Sequence, residues 1–268
     1  MQYVSISLAT SVKMPARPSG GRYWLMAILS HIGLIAVWQL AIEIFKIPSF
    51  LLPSPLEMLG SLSNSGSDWW SNTLVTAVEI FAGFGLAIVV GILLALLFIW
   101  SKWLSLLIFP LFVTLNMIPK VALGPLIIMW LKYGIMPNIL IAFTLCIFPV
   151  LLNTVRGLQE VEPELLDLVR SLKGRRWQLF TKIQFPGALP YIFSGMKISA
   201  VLAVAGAIVG EFIASDRGLG YLMIQAQNTL DSATMMMALT LLTIIGVLVY
   251  GMTVLLERLT VIRDARLD

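Results

Sequence analysis

Apolar positions along this chain run in long blocks instead of alternating with polar ones. A membrane helix needs about 20 apolar residues to cross a hydrocarbon core of about 30 Å. Six blocks reach or approach that length, at 24–45, 74–100, 111–132, 137–155, 190–212 and 235–256. The pattern predicts an all-α integral membrane protein of six transmembrane helices, with one long polar segment, 156–186, between the fourth and the fifth.

The third block has to be argued from length. Pro119 to Lys132 alone would rise only about 21 Å, too little for a crossing. The span therefore begins near Leu111 and runs through Pro119, after a return segment, Ser101 to Pro110, that carries Lys102. Pro119 and Pro125 then fall inside it with Gly124 between them, which predicts a kinked or locally opened helix. Asn116 and Lys120 are thereby placed within the membrane.

Two blocks carry small residues at a strict spacing of four. Gly83, Ala87, Gly91 and Ala95 form one stripe in the second span. Gly195, Ser199, Ala203 and Ala207 form another in the fifth, with Gly206 and Gly210 on the neighbouring face. Such stripes let helix backbones approach closely. Between the blocks, the Pro- and Ser-rich stretch 47–72 predicts an external loop with a short surface helix. Asp216 to Tyr221 predicts a glycine-bearing turn, and the residues to Leu230 a short outer-surface segment.

The polar segment has its own order. Glu160, Glu162, Glu164 and Asp167 lead, and Arg170, Lys173, Arg175 and Arg176 follow, which suits the dipole of a helix from about Val161 to Lys173. Leu165, Leu168 and Leu172 recur at spacings of three and four and give that helix one apolar face. A face of this kind between membrane spans needs a partner.

Composition narrows the picture. With 59% hydrophobic and 12% charged residues and a mean hydropathy of +0.93, an ordinary soluble domain is excluded. The formal charge of +4 comes from bases beside the apolar blocks, which the positive-inside rule explains without nucleic acid. The basic clusters in tail 1–23, in Arg156 to Lys182 and in tail 259–268 all fall on one side of a six-span chain, which places both termini in the cytoplasm. The first span reads as an uncleaved anchor. One cysteine and one histidine rule out an intrachain disulfide and a Cys/His metal cluster.

No phosphate-binding loop, zinc-protease or serine-hydrolase motif occurs. A membrane chain without catalytic groups, carrying a broken span and a docking helix, reads as a transport subunit driven by a separate engine. Two other readings stand beside it. An ion-coupled secondary transporter also uses broken helices and intramembrane charges, and a membrane-embedded enzyme needs converging acids or a metal set that the chain does not display.

The polar segment resembles a known signature. Asp167-Leu168-Val169, Lys173-Gly174 and Ile183-Gln184-Phe185-Pro186 are similar to E-A-A-x3-G-x9-I-x-L-P of permease subunits in binding-protein-dependent ABC importers. Asp167 stands for the Glu and Phe185 for the Leu, Leu168 and Val169 replace the alanines, and Gly174 follows one place after the glycine position, which Lys173 holds. Met117 to Leu126, Arg176 to Phe180, Pro186 to Pro190, Gly210-Glu211-Phe212 and Gly218 to Leu222 extend the resemblance to the nitrate/sulfonate/taurine type over roughly residues 50 to 260.

That resemblance implies a type I importer permease in the cytoplasmic membrane of a bacterial-type cell. It also implies a second permease copy, two cytoplasmic ATPase subunits that hold the ATP and magnesium, and an external binding protein. No cofactor is expected on this chain. The implied coupling helix comprises Leu165, Asp167, Leu168, Val169, Leu172, Lys173 and Gly174. The solute is expected to be a small anion such as a sulfonate, nitrate or bicarbonate. Asn116, Pro119, Lys120 and Glu211 are the pathway candidates. For Lys120 the alternatives are substrate contact, snorkelling or a pair with Glu79 or another buried acid. Asn116 either lines the pathway or bonds between helices, and Glu211 either shapes an outer gate or caps the turn that follows it.

Overall fold

The computed structural model describes residues 20–63, 68–160, 165, 169, 171, 172 and 174–261. The tails 1–19 and 262–268, with Asp167, Leu168 and Lys173 of the predicted coupling helix, lie outside them. Every regular element among the described residues is a helix. In order they are α1 (Gly20–Phe45), α2 (Pro55–Ser61), α3 (Trp69–Trp100), α4 (Lys102–Asn116), α5 (Lys120–Leu131), α6 (Ile135–Gln159) and α7 (Arg176–Leu179). A π-helical turn, Phe180–Gln184, leads into α8 (Phe185–Ala214), and α9 (Leu219–Asn228) and α10 (Ser232–Thr260) complete the chain.

Five of these elements are long and apolar enough to cross a membrane, α8 together with its helical lead-in among them, and α4 with α5, bent by 98°, makes a sixth when the pair is counted as one span. The six-span expectation therefore holds with one span broken. The location of the break corrects the sequence reading in two respects. The helix begins at Lys102, so 101–110 is not a connecting segment: Ser101 caps it, its hydroxyl accepting from the Leu104 N–H at 3.3 Å. Pro110 and Pro125 remain inside helices. The chain opens instead at Met117 to Pro119, where the ring of Pro119 disfavours helical geometry in the residue before it.

The core sits where α6 is gripped from both sides. A Cβ on Gly83 of α3 would lie 2.7 Å from the Ala142 Cβ, and one on Gly206 of α8 would lie 2.5 Å from the Ala142 Cα. Ala87, Ala95, Ala203 and Ala207 are fully buried. Both small-residue stripes thus serve to bring two backbones against α6, where dispersion between close surfaces replaces the hydrophobic effect that lipid does not supply. The Ser199 hydroxyl donates to the Cys146 carbonyl at 2.8 Å and the Cys146 thiol to the Ser199 carbonyl at 3.2 Å, so the lone cysteine is a packing residue.

The predicted surface helix is α2, closed by a capping box in which Ser54 and Glu57 satisfy each other's backbone N–H groups. By contrast, α1 stands off the bundle: none of its apolar stretch Ile28–Phe45 is buried within the chain.

Candidate functional site

The break between α4 and α5 builds the first polar site. Lys120 begins α5 without a side-chain cap, and its ammonium turns back over the break to donate to the Asn116 carbonyl and, at 2.6 Å, to the Asn116 Oδ1. These contacts satisfy carbonyls that the interrupted helix leaves bare. The two residues share a cavity of about 270 Å³ with Phe112, Phe143, Thr144 and Phe148. Thr144 and Phe148 lie in the middle of α6, so the ammonium sits at mid-bundle depth in mostly aromatic and aliphatic surroundings. No carboxylate among the described residues lies within ion-pair distance of it, and the expected alternative of a Lys120–Glu79 pair is excluded because Glu79 bonds elsewhere. Asn116 bonds across the break in its own span and not to another helix. Pro119 is exposed beside them.

The polar segment is partly described. Leu165, Val169 and Ser171 are helical and Leu172 lies in the turn that follows, in line with a helix ending near 173. Leu165 is 38% and Leu172 74% exposed, so these two leucines of the apolar face are not covered by the described residues. The Gly174 N–H donates to the Val169 carbonyl at 2.9 Å, and a Cβ at this position would sit 2.5 Å from the Val169 Cγ1. Gly174 itself therefore makes the close turn out of the helix. Beyond it, Trp177, Phe180 and Phe185 form a line of ring contacts that reaches Trp100 at 5.8 Å from Phe180, which seats the segment on the end of α3. Pro186 has no N–H to offer the preceding turn, and the chain widens there, with the Phe185 N–H donating to the Phe180 carbonyl.

Glu211 is not brought to the Lys120 cavity. It is buried at the bundle end away from the 156–186 segment, where polar side chains of α3 and α8 meet the N-terminus of α9. The first N–H groups of a helix have no partner within it. Here the Gly218 N–H donates to the Asn72 Oδ1 at 2.6 Å, the Leu219 N–H to the Thr76 hydroxyl at 2.8 Å, and the Gly220 N–H to the Glu211 carboxylate. The Thr76 hydroxyl in turn donates to the Glu211 Oε1 at 2.5 Å. A carboxylate aimed at a helix N-terminus also meets the positive end of its dipole. The glycines of the turn are shaped to this group: Gly218 has φ of +115°, and a Cβ there would strike the Glu211 carboxyl at 2.3 Å. Of the two roles expected for Glu211, the geometry is that of the cap.

Two further polar features were not singled out as a set by the sequence. The Asn138 amide donates to the Glu79 Oε1 at 2.8 Å and to the Ser215 hydroxyl at 2.7 Å, joining α3, α6 and the end of α8. Lys197 of α8 and Glu257 of α10 form an ion pair of 2.7 Å with side chains 22% and 5% exposed. A lysine inside the fifth apolar block and a glutamate near the end of the sixth were the available signal, because antiparallel neighbours place those two depths together.

The chain was compared with known proteins. Residues 87–264 match the family description "Binding-protein-dependent transport system inner membrane component". The riboflavin transport system permease protein RibX of Chloroflexus aurantiacus is 34% identical over 230 residues, covering 85% of this chain and 86% of its own length. The putative aliphatic sulfonates transport permease protein SsuC of Escherichia coli is 30% identical over 242 residues, covering 88% of this chain and 92% of its own. Among solved structures, an inward-facing form of the MetNI methionine ABC transporter matches with a TM-score of 0.60 at 18% identity, over 71% of this chain and 95% of the matched one, which supports the fold.

Proposed function

This chain belongs to the family of binding-protein-dependent transport system inner membrane components, and we propose that it forms the translocation pathway for a small organic anion, with Lys120 as the cation that meets the solute. Membership makes it a permease subunit of an ABC importer. The proposed assembly adds a second permease copy, an external binding protein and two cytoplasmic ATPase subunits that supply and hydrolyse ATP. Both chain ends then lie in the cytoplasm, on the side of the 156–186 segment.

The observation that carries the solute class is the Lys120 ammonium itself. An uncompensated charge at the centre of a membrane helix costs about 2.5–3.5 kcal/mol. At this depth its partners among the described residues are the two Asn116 oxygens. An anion passing the break would meet it, and the rings of Phe112, Phe143 and Phe148 suit an anion with an apolar body better than a strongly hydrated inorganic one. An aliphatic sulfonate is one such compound.

At the other functional surface, the exposed Leu165 and Leu172 fit a cleft in the ATPase. Closure of the ATPase pair on ATP would draw the two coupling segments together and, through the aromatic contacts of Phe180 with Trp100 and Phe185, move the ends of α3 and α8. Counterflow and uptake in liposomes containing the permease, ATPase and binding protein test the assignment. Lys120→Met is expected to assemble normally and to lose sulfonate uptake by about tenfold or more. Uptake at the parent rate would falsify it.

A further inference from the structure

We propose that the Glu79 and Glu211 carboxyl groups hold one proton between them, carried by Glu79 and donated to Glu211, and that this bond latches α3 to α8 at the bundle end opposite the coupling segment. Both side chains are buried, at 0% and 2% exposure, and they face each other: Thr76, one turn before Glu79, donates to Glu211, and Asn138, which donates to Glu79, packs against Gly210 beside Glu211. Their other partners divide the roles. Glu211 receives donors only: the Thr76 hydroxyl on Oε1 and the Gly220 N–H on Oε2. Glu79 receives the Asn138 amide on Oε1, while its Oε2 is buried without a donor.

Two bare carboxylates in such contact would repel each other in a poorly polarisable environment, and Oε2 would be left with an unmade bond. A proton on Oε2 removes both difficulties at once. It turns the orphaned acceptor into a donor and leaves Glu211 ionised, as its place at the N-terminus of α9 requires. Among the described residues no lysine or arginine forms an ion pair with either carboxyl group. Asn138 comes from α6, Thr76 and Asn72 from α3, and the Gly220 N–H from α9. Asp216 and Arg217 of the connecting loop are exposed side chains that line the same cleft as Glu79, about 500 Å³ in volume.

The bond has a mechanical consequence. Glu211 holds the Gly218–Gly220 turn together with Asn72 and Thr76, and Glu79 adds a tie from that cap, through Asn138, to α6. Parting of α3 and α8 at this end must break the shared-proton bond first. An outward opening of the pathway would therefore begin here.

The experiment exploits the asymmetry of the assignment. In Glu79→Gln the amide NH₂ takes the place of the acid proton and its oxygen still accepts from Asn138. In Glu211→Gln an NH₂ must face either the Thr76 hydroxyl or the Gly220 N–H. Transport by the full complex in liposomes is expected to stay within about twofold of the parent for Glu79→Gln and to fall about tenfold or more for Glu211→Gln. Infrared difference spectra of the same complexes are expected to lose one protonated-carboxyl band in Glu79→Gln and to keep it in the control Glu57→Gln. Equal effects of the two substitutions, the reverse order, or an unchanged carboxyl band in Glu79→Gln each overturn the proposal. These results are independent of Lys120, whose substitution alone tests the solute assignment.

Discussion

Gly206 of α8 passes Ala142 of α6 so closely that a Cβ on residue 206 would lie 2.5 Å from the Ala142 Cα. That atom is backbone and cannot swing aside. On its other flank the same Ala142 meets Gly83, so α6 has no direction in which to give way. Overpacking of a tight interior costs about 1–3 kcal/mol and at times more, and Gly206→Leu is expected at or above the top of that range. Thermal unfolding of the purified permease should show a lower midpoint for Gly206→Leu and an unchanged one for Gly85→Ala, where a Cβ meets nothing.

The cap of α9 makes a graded prediction. Asn72 and Thr76 each accept one N–H from the start of that helix, and Thr76 also holds Glu211. Thr76→Val keeps the volume but loses both bonds, whereas Asn72→Ala loses the bond to Gly218. A buried donor left unpaired costs about 1–3 kcal/mol, so Thr76→Val should be the more destabilising. Hydrogen exchange, read in detergent, should rise at the Gly218 amide in Asn72→Ala and should reach the Leu219 amide only in Thr76→Val.

Much of this architecture could be read from the chain, for identifiable reasons. Block length set the six spans, and the spacing of Gly83, Ala87, Gly91 and Ala95 named the face that meets α6, because helix packing in lipid depends on local periodicity. The break in the third span was also legible, but its position was not. Pro119 and Pro125 both lay in the predicted span, and only Pro119 stands at the interruption. That Glu211 caps the turn after it was one of its two expected roles, but its partner in α3 lay out of reach. Thr76 and Glu211 are 135 positions apart, and no local pattern says that a threonine in one apolar block meets a glutamate at the end of another. What could be read was the pairing of small residues with an acid, Gly210-Glu211 and then Gly218-Leu219-Gly220, and the structure gives its cause: the turn is shaped around the carboxylate.

Leu172, 74% exposed at the end of the described helical turn, tests the coupling assignment. An apolar side chain of this kind contributes about 1.5–3 kcal/mol when a partner buries it, and an aspartate in its place would carry a charge into that contact. In the assembled importer, Leu172→Asp is expected to lower stimulation of ATP hydrolysis by the loaded binding protein about tenfold or more and to leave the fold of the isolated permease unchanged. Unaltered stimulation would place the ATPase contact elsewhere on the 156–186 segment.

The ion pair between Lys197 and Glu257 offers a test of a different kind, since the two partners can be removed separately or together. Their 2.7 Å contact is almost withdrawn from solvent on the glutamate side, and the Glu257 Oε1 has no partner among the described residues. Removing one member of a buried pair strands the other charge, at a cost of about 3–5 kcal/mol, while replacing both by apolar groups of similar size is often neutral. Lys197→Met and Glu257→Leu should therefore each reduce the yield and thermal midpoint of the permease, and the double variant should recover most of the loss. The coupling measured by that cycle separates a pair whose role is to hold α8 against α10 from one whose lysine serves the solute. In the first case the double variant transports normally. In the second it folds but fails to transport, and Lys197 then joins Lys120 as a cation of the pathway.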